Sequence, residues 1–381
     1  MANRDLNSSD RTYQICTRCV MDTTDKEIEF DQQGVCNRCK EYETLIPKLL
    51  PNRTTRETEL AALVELIKKE GRGKDYDCLI GVSGGVDSTY ISYLVKDLGL
   101  RPLAVHLDNG WDTELAVSNI ERCMKALDID LYTHVLNWDE FKDMQLAFLK
   151  ASTPDSEFPT DHAIISIMYR KASEIGVRYI ISGVNLVTEG ITGPKMITNA
   201  FDWKYISGIH KRFGTGKVTS NFPHMSLLNF FYYRKIKKMQ FVYLLNYIDF
   251  NKGDAMKLMK EKLGWQPYTG KHHESVYTRF FQSYMLPRKH GFDKRIMHLS
   301  ALIMSGQITR EKALEELEME ACPPDLIKQD KIFVAKKFGI TESELDRILD
   351  LPPKQNGEYP SSEKAWYMRL YRRLQASRAN S

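Results

Sequence analysis

Short apolar runs alternate with stretches of helical spacing through the middle of the chain. The runs predict strands at 78–82, 102–108 and 177–182, and an alternating pattern predicts another at 131–136. Between and before them, apolar residues recur every three or four positions, which predicts helices over 58–69, 89–98, 139–150 and 161–175. Strands that alternate with helices form parallel sheets, so the pattern predicts an α/β fold with a doubly wound parallel sheet.

The pattern changes after about residue 200. Aromatic residues crowd positions 222–250, where we expect them to pack in a core, and the later segments predict mostly helices. A capping box over 341–344 marks one helix start, and the basic, aromatic stretch 364–378 predicts a closing helix. We therefore predict a module over 1–55, an α/β domain over 56–205 and a mostly helical region over 206–381.

Two CxxC pairs lie in the first of these regions. Cys16 and Cys19 are separated by 16 residues from Cys36 and Cys39, a spacing typical of four-cysteine zinc sites. Four thiolates leave no open position on the ion, so the predicted role of Zn²⁺ is structural. Unligated thiols are the alternative.

The segment 83–88 follows the first predicted strand and precedes a helix. Adjacent glycines allow close approach of the backbone to a ligand, and serine hydroxyls and a helix N-terminus attract negative charge, so the segment predicts a pyrophosphate cradle. It resembles SGGxDS, the signature of ATP pyrophosphatases, which cleave ATP between the α- and β-phosphates. The resemblance implies ATP and Mg²⁺ as ligands of these residues: Ser83, Gly84, Gly85, Val86, Asp87 and Ser88.

Ligands of doubly wound sheets bind at the carboxyl ends of the strands. Asp108 ends the second predicted strand and is expected near the nucleoside. Gly183, Asn185 and Glu189 follow the fourth and are expected to bind the cofactor. Before the helix over 161–175, Thr160 is the expected N-cap, which puts Asp161 and His162 in its first turn as substrate candidates.

Composition narrows the class of protein. The formal charge of +4 arises from 54 basic and 50 acidic residues, too even a balance to indicate nucleic acid binding. No apolar run of about 18 residues occurs, and the N-terminus lacks an apolar signal core. We therefore expect a soluble, cytoplasmic protein with no membrane partner.

A polar island lies between 264 and 295, with Lys271, His273, Glu274 and Arg279 among its members. Such a group is either a clamp for phosphates or a solvated surface, and its composition does not decide between them.

The chain resembles a known family in the order of its motifs. These motifs are the cysteine module, the 83–88 loop and the segments 159–162, 271–280, 293–295 and 305–311. The chain is similar to the N-acetyl sugar amidotransferases of lipopolysaccharide O-antigen and pseudaminic acid type over about residues 12–320. The resemblance implies an adenine nucleotide α hydrolase-like fold and conversion of an acetamido group on a nucleotide-linked sugar to an acetamidino group. Its implied catalytic residues are Asp87, Ser88, Lys271 and Arg279, and its substrate residues are Asp161, His162, His273 and Glu274.

The source of nitrogen is expected outside the chain. Neither Cys123 nor Cys322 lies in a glutaminase nucleophile motif, so ammonia would come from another subunit. The family resemblance implies a glutaminase subunit and a cyclase-like barrel subunit as partners. A tRNA-thiolating enzyme is the first alternative, although no core cysteine pair is visible, and a zinc-ribbon adaptor for RNA or protein is the second.

Overall fold

The computed structural model describes residues 12–191, 202–215, 221–268, 270 and 273–362. Its centre is one sheet of five parallel strands in the order β3-β2-β1-β4-β5. The strands are β1 (Cys78–Gly81), β2 (Pro102–Asp108), β3 (Asp130–Val135), β4 (Tyr179–Ile181) and β5 (Gln240–Val242). The strand order reverses direction between β1 and β4, as in doubly wound sheets, which confirms the predicted fold class.

Helices surround the sheet and continue beyond it. The helices up to the end of the β4 loop are α1 (Asn37–Leu49), α2 (Arg56–Gly71), α3 (Val86–Asp97), α4 (Glu114–Leu127), α5 (Trp138–Ala151), α6 (Phe158–Glu174) and α7 (Leu186–Glu189). The later ones are α8 (Trp203–Phe213), α9 (Leu227–Phe231), α10 (Lys252–Leu263), α11 (Val276–Phe280), α12 (Leu286–His290), α13 (Arg295–Met304), α14 (Arg310–Glu318), α15 (Pro324–Phe338) and α16 (Glu342–Leu349). Helices α9 and α11 continue as π-helical turns over Tyr232–Ile236 and Phe281–Met285, and Leu244–Tyr247 and Asn356–Glu358 are 3₁₀ turns. The predicted closing helix over 364–378 lies outside the described residues.

The central strands β1, β2 and β4 are buried on both faces, which explains their uninterrupted apolar runs, whereas the edge strand β3 is largely exposed. Leu79 of β1 packs on one face with Val105 and Met168, and its neighbour Ile80 packs on the other with Ile91. Because successive strand residues point to opposite faces, a strand covered on both sides has no polar position to alternate with.

Two elements differ from the sequence-based expectation. Helix α6 begins at Phe158 with Glu157 as N-cap, not at Thr160, because Pro159 fits the first turn, where no N–H bond is required. Strand β5 was not predicted, since it has only three residues and its burial falls from Val242 to an exposed Gln240. It lies beyond residue 205, so the sheet takes a strand from the region predicted to be helical.

Candidate functional site

The loop after β1 has the shape of an anion cradle. Gly84 has a φ of +77°, and Gly85 is the N-cap of α3. The hydroxyl of Ser88 accepts from the Ser83 N–H at 3.2 Å and donates to the Gly85 carbonyl, also at 3.2 Å. The start of α3 therefore lies next to the two serines, and a helix N-terminus beside hydroxyl groups is an arrangement suited to phosphate oxygens.

The Gly84 carbonyl is held from outside the loop. The Trp265 indole N–H and the Tyr268 hydroxyl donate to this oxygen at 2.9 and 3.0 Å. In a trans peptide the following N–H points the opposite way, so the Gly85 N–H is turned into the cradle. A side-chain carbon at Gly84 would lie 2.8 Å from the Ala116 carbonyl oxygen, so this position requires glycine. Trp265 and Tyr268 were not predicted, because they follow the loop by some 180 residues and no spacing pattern joins them.

A buried ion pair lies beneath the loop. His106 of β2 faces the Val82 carbonyl with Nδ1 at 3.0 Å and the Asp112 carboxylate with Nε2 at 3.2 Å. An N–H at both ring nitrogens satisfies both acceptors, so this geometry favours the protonated form of His106. Burial opposes the charge, but the bond to Asp112, its charge and the Val82 carbonyl together raise the pKa of His106. The pair thus fixes a histidine and a carboxylate next to the phosphate loop, a feature that the sequence pattern did not indicate.

The middle of the polar island is paired with the segment that follows β2. Asp112 and Ser275 form an antiparallel bridge, and the Glu274 carbonyl accepts from the Thr113 N–H at 2.9 Å. This pairing brings the Glu274 carboxylate to the phosphate loop, where Oε1 lies 3.2 Å from the place a Gly85 side-chain carbon would occupy. His273 is buried beside it, and Lys271 lies outside the described residues. The structure therefore brings Glu274 together with the loop, which the sequence left undecided.

The loop after β4 touches the same helix start. A side-chain carbon at Gly183 would lie 2.9 Å from the Asp87 carbonyl carbon and 3.1 Å from the Ser88 nitrogen, so only glycine allows this contact. Asn185 is buried and caps α7 by accepting from the Thr188 N–H at 2.8 Å. Glu189 ends that helix. The cofactor residues predicted after β1 and β4 thus flank the position where the strand order reverses.

Asp108, predicted near the nucleoside, accepts from the Gly110 N–H at 2.8 Å. Lys337 of α15 approaches the same turn, with its ammonium 5.0 Å from the Trp111 ring centre and 4.6 Å from that of Trp138. Burial lowers the pKa of Lys337, while Asp108 and Asp112 oppose the shift. A cation from the C-terminal region therefore lies at the tip of β2.

An acidic cluster, formed by Asp155, Glu157 and Asp161, lies at the start of α6. Burial raises the pKa of Glu157 to about 7 and that of Asp161 to about 8, with Asp155 adding to both shifts and Lys294 opposing them. Asp161 nevertheless contacts solvent. Asp161 is therefore accessible to a small ligand.

Two other predicted residues have protein partners. The buried His162 ring accepts from the Met225 N–H at 3.0 Å and stacks on Trp203. Arg279 forms a bidentate, buried ion pair with Asp330 of α15, with both bonds at 2.7 Å. These contacts anchor the first turn of α6 and α11 to the helical region, and the functional roles of both residues stay predictions.

The four N-terminal cysteines form a compact cluster. Their ligand atoms lie within 4.8 Å of one another, with Sγ separations of 3.9 Å for Cys16 and Cys39, 3.7 Å for Cys19 and Cys36, and 3.6 Å for Cys36 and Cys39. A tetrahedral zinc with bonds of about 2.3 Å places sulfurs about 3.8 Å apart. The donor set and its spacing therefore fit a structural Zn²⁺, and no other metal-capable group of three or more such side chains occurs within the described part of the chain.

The cluster is joined to the helices around the site. The Arg310 guanidinium donates to the carbonyls of Cys16 and Cys19 at 2.9–3.2 Å, and the Tyr42 hydroxyl donates to the Val187 carbonyl in α7 at 2.7 Å. Ile296 of α13 packs in the same core as the cysteines. The module therefore supports two helices near the site: α7, which ends at Glu189, and α13, which begins directly after Lys294. Over the residues that the structure covers, no helix is long and apolar enough to cross a membrane.

Comparison with known proteins adds two independent likenesses. Residues 274–375 match the family described as LPS biosynthesis protein WbpG-like, C-terminal domain. The tRNA-specific 2-thiouridylase MnmA of Helicobacter hepaticus is 28% identical over 130 residues, 32% of this chain and 37% of that protein, and MnmA 2 of Clostridium botulinum strain Hall is 27% identical over 138 residues. Together with the loop, these matches support a place in the PP-loop superfamily of ATP-utilising enzymes.

A longer match joins the two parts of the chain. Uncharacterized protein MJ1599 of Methanocaldococcus jannaschii is 24% identical over 318 residues, 82% of this chain and 96% of that protein. Two solved structures align at 15% identity. A predicted subunit of tRNA methyltransferase from M. jannaschii aligns with TM-score 0.29 and covers 48% of this chain and 75% of its own. NMN synthetase from Francisella tularensis aligns with TM-score 0.28 and covers 57% of this chain and 98% of its own. At these scores the fold assignment depends on the strand order described above.

Proposed function

We propose that this protein is an ATP-dependent amidotransferase that converts an acetamido group of a nucleotide-linked sugar to an acetamidino group. The observation that carries the proposal is the contact between two regions with separate likenesses. Glu274 and Ser275, at the start of the WbpG-like region, are paired with Thr113 and Asp112 in the segment after β2, and the Glu274 carboxylate reaches the ATP-type loop at Gly85. A substrate held by the C-terminal region would therefore meet the nucleotide at its α-phosphate.

The chemistry begins with activation of the amide. The amide oxygen attacks the α-phosphorus, and the bond to the β-phosphate breaks, releasing pyrophosphate. The N–H groups of Gly84 and Gly85, the start of α3 and His106 in its protonated form would stabilise the charge on this leaving group. Mg²⁺, when bound, would neutralise part of the same charge, with Asp87 and Glu274 as the carboxylates nearest the loop.

Ammonia then attacks the activated carbon. AMP leaves with the former amide oxygen, and the nitrogen loses a proton to give the acetamidino group. Asp161 and Glu157 have raised pKa values of about 8 and about 7, caused first by burial, so either is suited to accept a proton near neutral pH. Ammonia would be delivered by a separate glutaminase with a cyclase-like barrel partner.

The thiouridylase likeness makes tRNA thiolation the second candidate, and the cysteines disfavour it. Apart from the metal-type cluster, the chain has only Cys78, Cys123 and Cys322, and all three are buried. Burial raises the pKa of each thiol, to about 11 for Cys123. A thiol that carries sulfur must be accessible as a thiolate, and none of these is.

One assay separates the candidates. Purified protein is incubated with ATP, Mg²⁺ and ammonium chloride, together with either UDP-linked N-acetyl sugars or tRNA with sulfide, and AMP and pyrophosphate are measured. We expect AMP formation with a sugar and, by mass spectrometry, replacement of one oxygen by NH. Asp87→Asn, which preserves size, is expected to abolish both signals. AMP formed only with tRNA would reject the proposal in favour of thiolation.

A further inference from the structure

The segment from α9 through its π-helical turn is apolar on two faces. Phe230 and Tyr233 turn inward, where their rings lie 5.9 and 5.4 Å from Tyr169 of α6. On the outer side, Leu228 is 81% exposed, Phe231 56% and Ile236 63%. A helix whose outer face is also apolar is normally covered by something else.

Cations surround this outer face. Arg234, Lys235, Lys237 and Lys238 are exposed, and none forms an ion pair within the described residues. No aspartate or glutamate occurs between 221 and 248. The face therefore combines apolar side chains with uncompensated positive charge.

From this combination we infer that the outer face, Leu228, Phe231, Tyr232 and Ile236 with the four cations, binds the surface of an anionic lipid bilayer. Leucine, phenylalanine and isoleucine enter the acyl boundary, and lysine and arginine contact the headgroups. Lysine is depleted in protein interfaces, which makes a protein partner a poorer fit. The two most exposed side chains are aliphatic and have no ring for base stacking, which disfavours RNA.

The geometry leaves the nucleotide loop open. The patch leads into the amino end of β5, whereas the 83–88 loop follows the carboxyl end of β1, and parallel strands place these at opposite edges of the sheet. A bilayer on the patch would therefore not cover the loop. The expectation of no membrane partner came from the lack of a spanning segment, and a surface contact needs no such segment.

Co-sedimentation with vesicles tests the inference. The full chain is mixed with phosphatidylcholine vesicles that contain about 30 mol% phosphatidylglycerol or none, at low and high salt. We expect binding to the anionic vesicles that weakens with salt. The variant L228S/F231S/I236S should bind the anionic vesicles at least tenfold more weakly than the wild type. The variant K235S/K237S/K238S should lose on the order of 100-fold in affinity for these vesicles, because each cation near an anionic surface raises the affinity about fivefold.

Two matched controls isolate the patch. Leu45 and Leu49 are exposed leucines one turn apart on α1, and Lys257 and Lys260 are exposed lysines on α10. L45S/L49S and K257S/K260S should bind like the wild type, and equal zinc content and melting temperature show that all variants are folded. Equal binding to neutral and anionic vesicles, no vesicle binding, unchanged binding by both patch variants, or self-association through this face would each overturn the inference.

Discussion

The cysteine module and the phosphate loop both gather polar atoms around a small volume, but one is closed and the other open. All four cysteines are fully buried. Their sulfurs accept hydrogen bonds from backbone N–H groups, such as those of Met21 and Cys36 at 3.3 Å, and Arg310 donates to the carbonyls of Cys16 and Cys19. In the loop, Ser83 stays exposed. A site whose donors and acceptors are all internally matched stabilises the fold, whereas one that leaves donors facing solvent is suited to bind and release a ligand.

Gly84→Ala would test the open site most severely. The new side chain would meet the Ala116 carbonyl oxygen at 2.8 Å and disturb the peptide held by Trp265 and Tyr268. We expect pyrophosphate release to fall by about 100-fold or more, with zinc content unchanged. Gly73→Ala is the matched control, because Gly73 has a similar φ of +75° but no atom within 4 Å of the added carbon. Similar losses in both variants would mean that backbone strain alone, and not the fit of the loop, limits activity.

Arg310→Ala would test the closed site. The variant leaves the Cys16 and Cys19 carbonyls without three hydrogen bonds, at a cost of about 2–3 kcal/mol in free energy of unfolding. The measurements are the denaturation midpoint and the rate at which a chelator removes zinc, which we expect to rise. Arg310→Lys should give an intermediate rate because an ammonium cannot bind both carbonyls in the same geometry. Arg347→Ala removes an exposed guanidinium bonded to one carbonyl at 3.4 Å and serves as control. Identical zinc release from the alanine variants of Arg310 and Arg347 would refute the role.

The same contrast explains which parts of the molecule could be predicted from sequence. Strands β1 to β4 and the loop are local patterns, visible as apolar runs or a short motif. Other contacts join residues that are distant in sequence, and no local periodicity predicts such pairs. They are Trp265 with Gly84, Asp330 with Arg279, and Arg310 with the cysteines. Strand β5 is short and has one exposed end, so its pattern resembles that of a loop.

The acidic cluster of Asp155, Glu157 and Asp161 gives the smallest expected effect, which is a change in how stability depends on pH. Burial raises the pKa of Glu157 from 4.5 to about 7. Between these values the folded protein keeps a proton that the unfolded chain has lost, so this group makes the free energy of unfolding decrease as pH rises through the window, and the full penalty is present above pH 7. Glu157→Gln has no charge to bury and can still bond to Thr278. We therefore expect it to be more stable than the wild type by about 1–2 kcal/mol at pH 8 and nearly equal at pH 4.

Urea denaturation of both proteins at pH 4, 6 and 8 measures this difference. Glu174→Gln, in the last turn of the same helix, controls for loss of a carboxylate in an ion pair with Lys171. A stability difference that does not grow with pH would show that folding does not raise the pKa of Glu157. Glu157 would then be charged at neutral pH, closer in character to the phosphate loop's exposed polar groups than to a group poised near pH 7, and Asp161 would remain as the candidate for the proposed proton transfer.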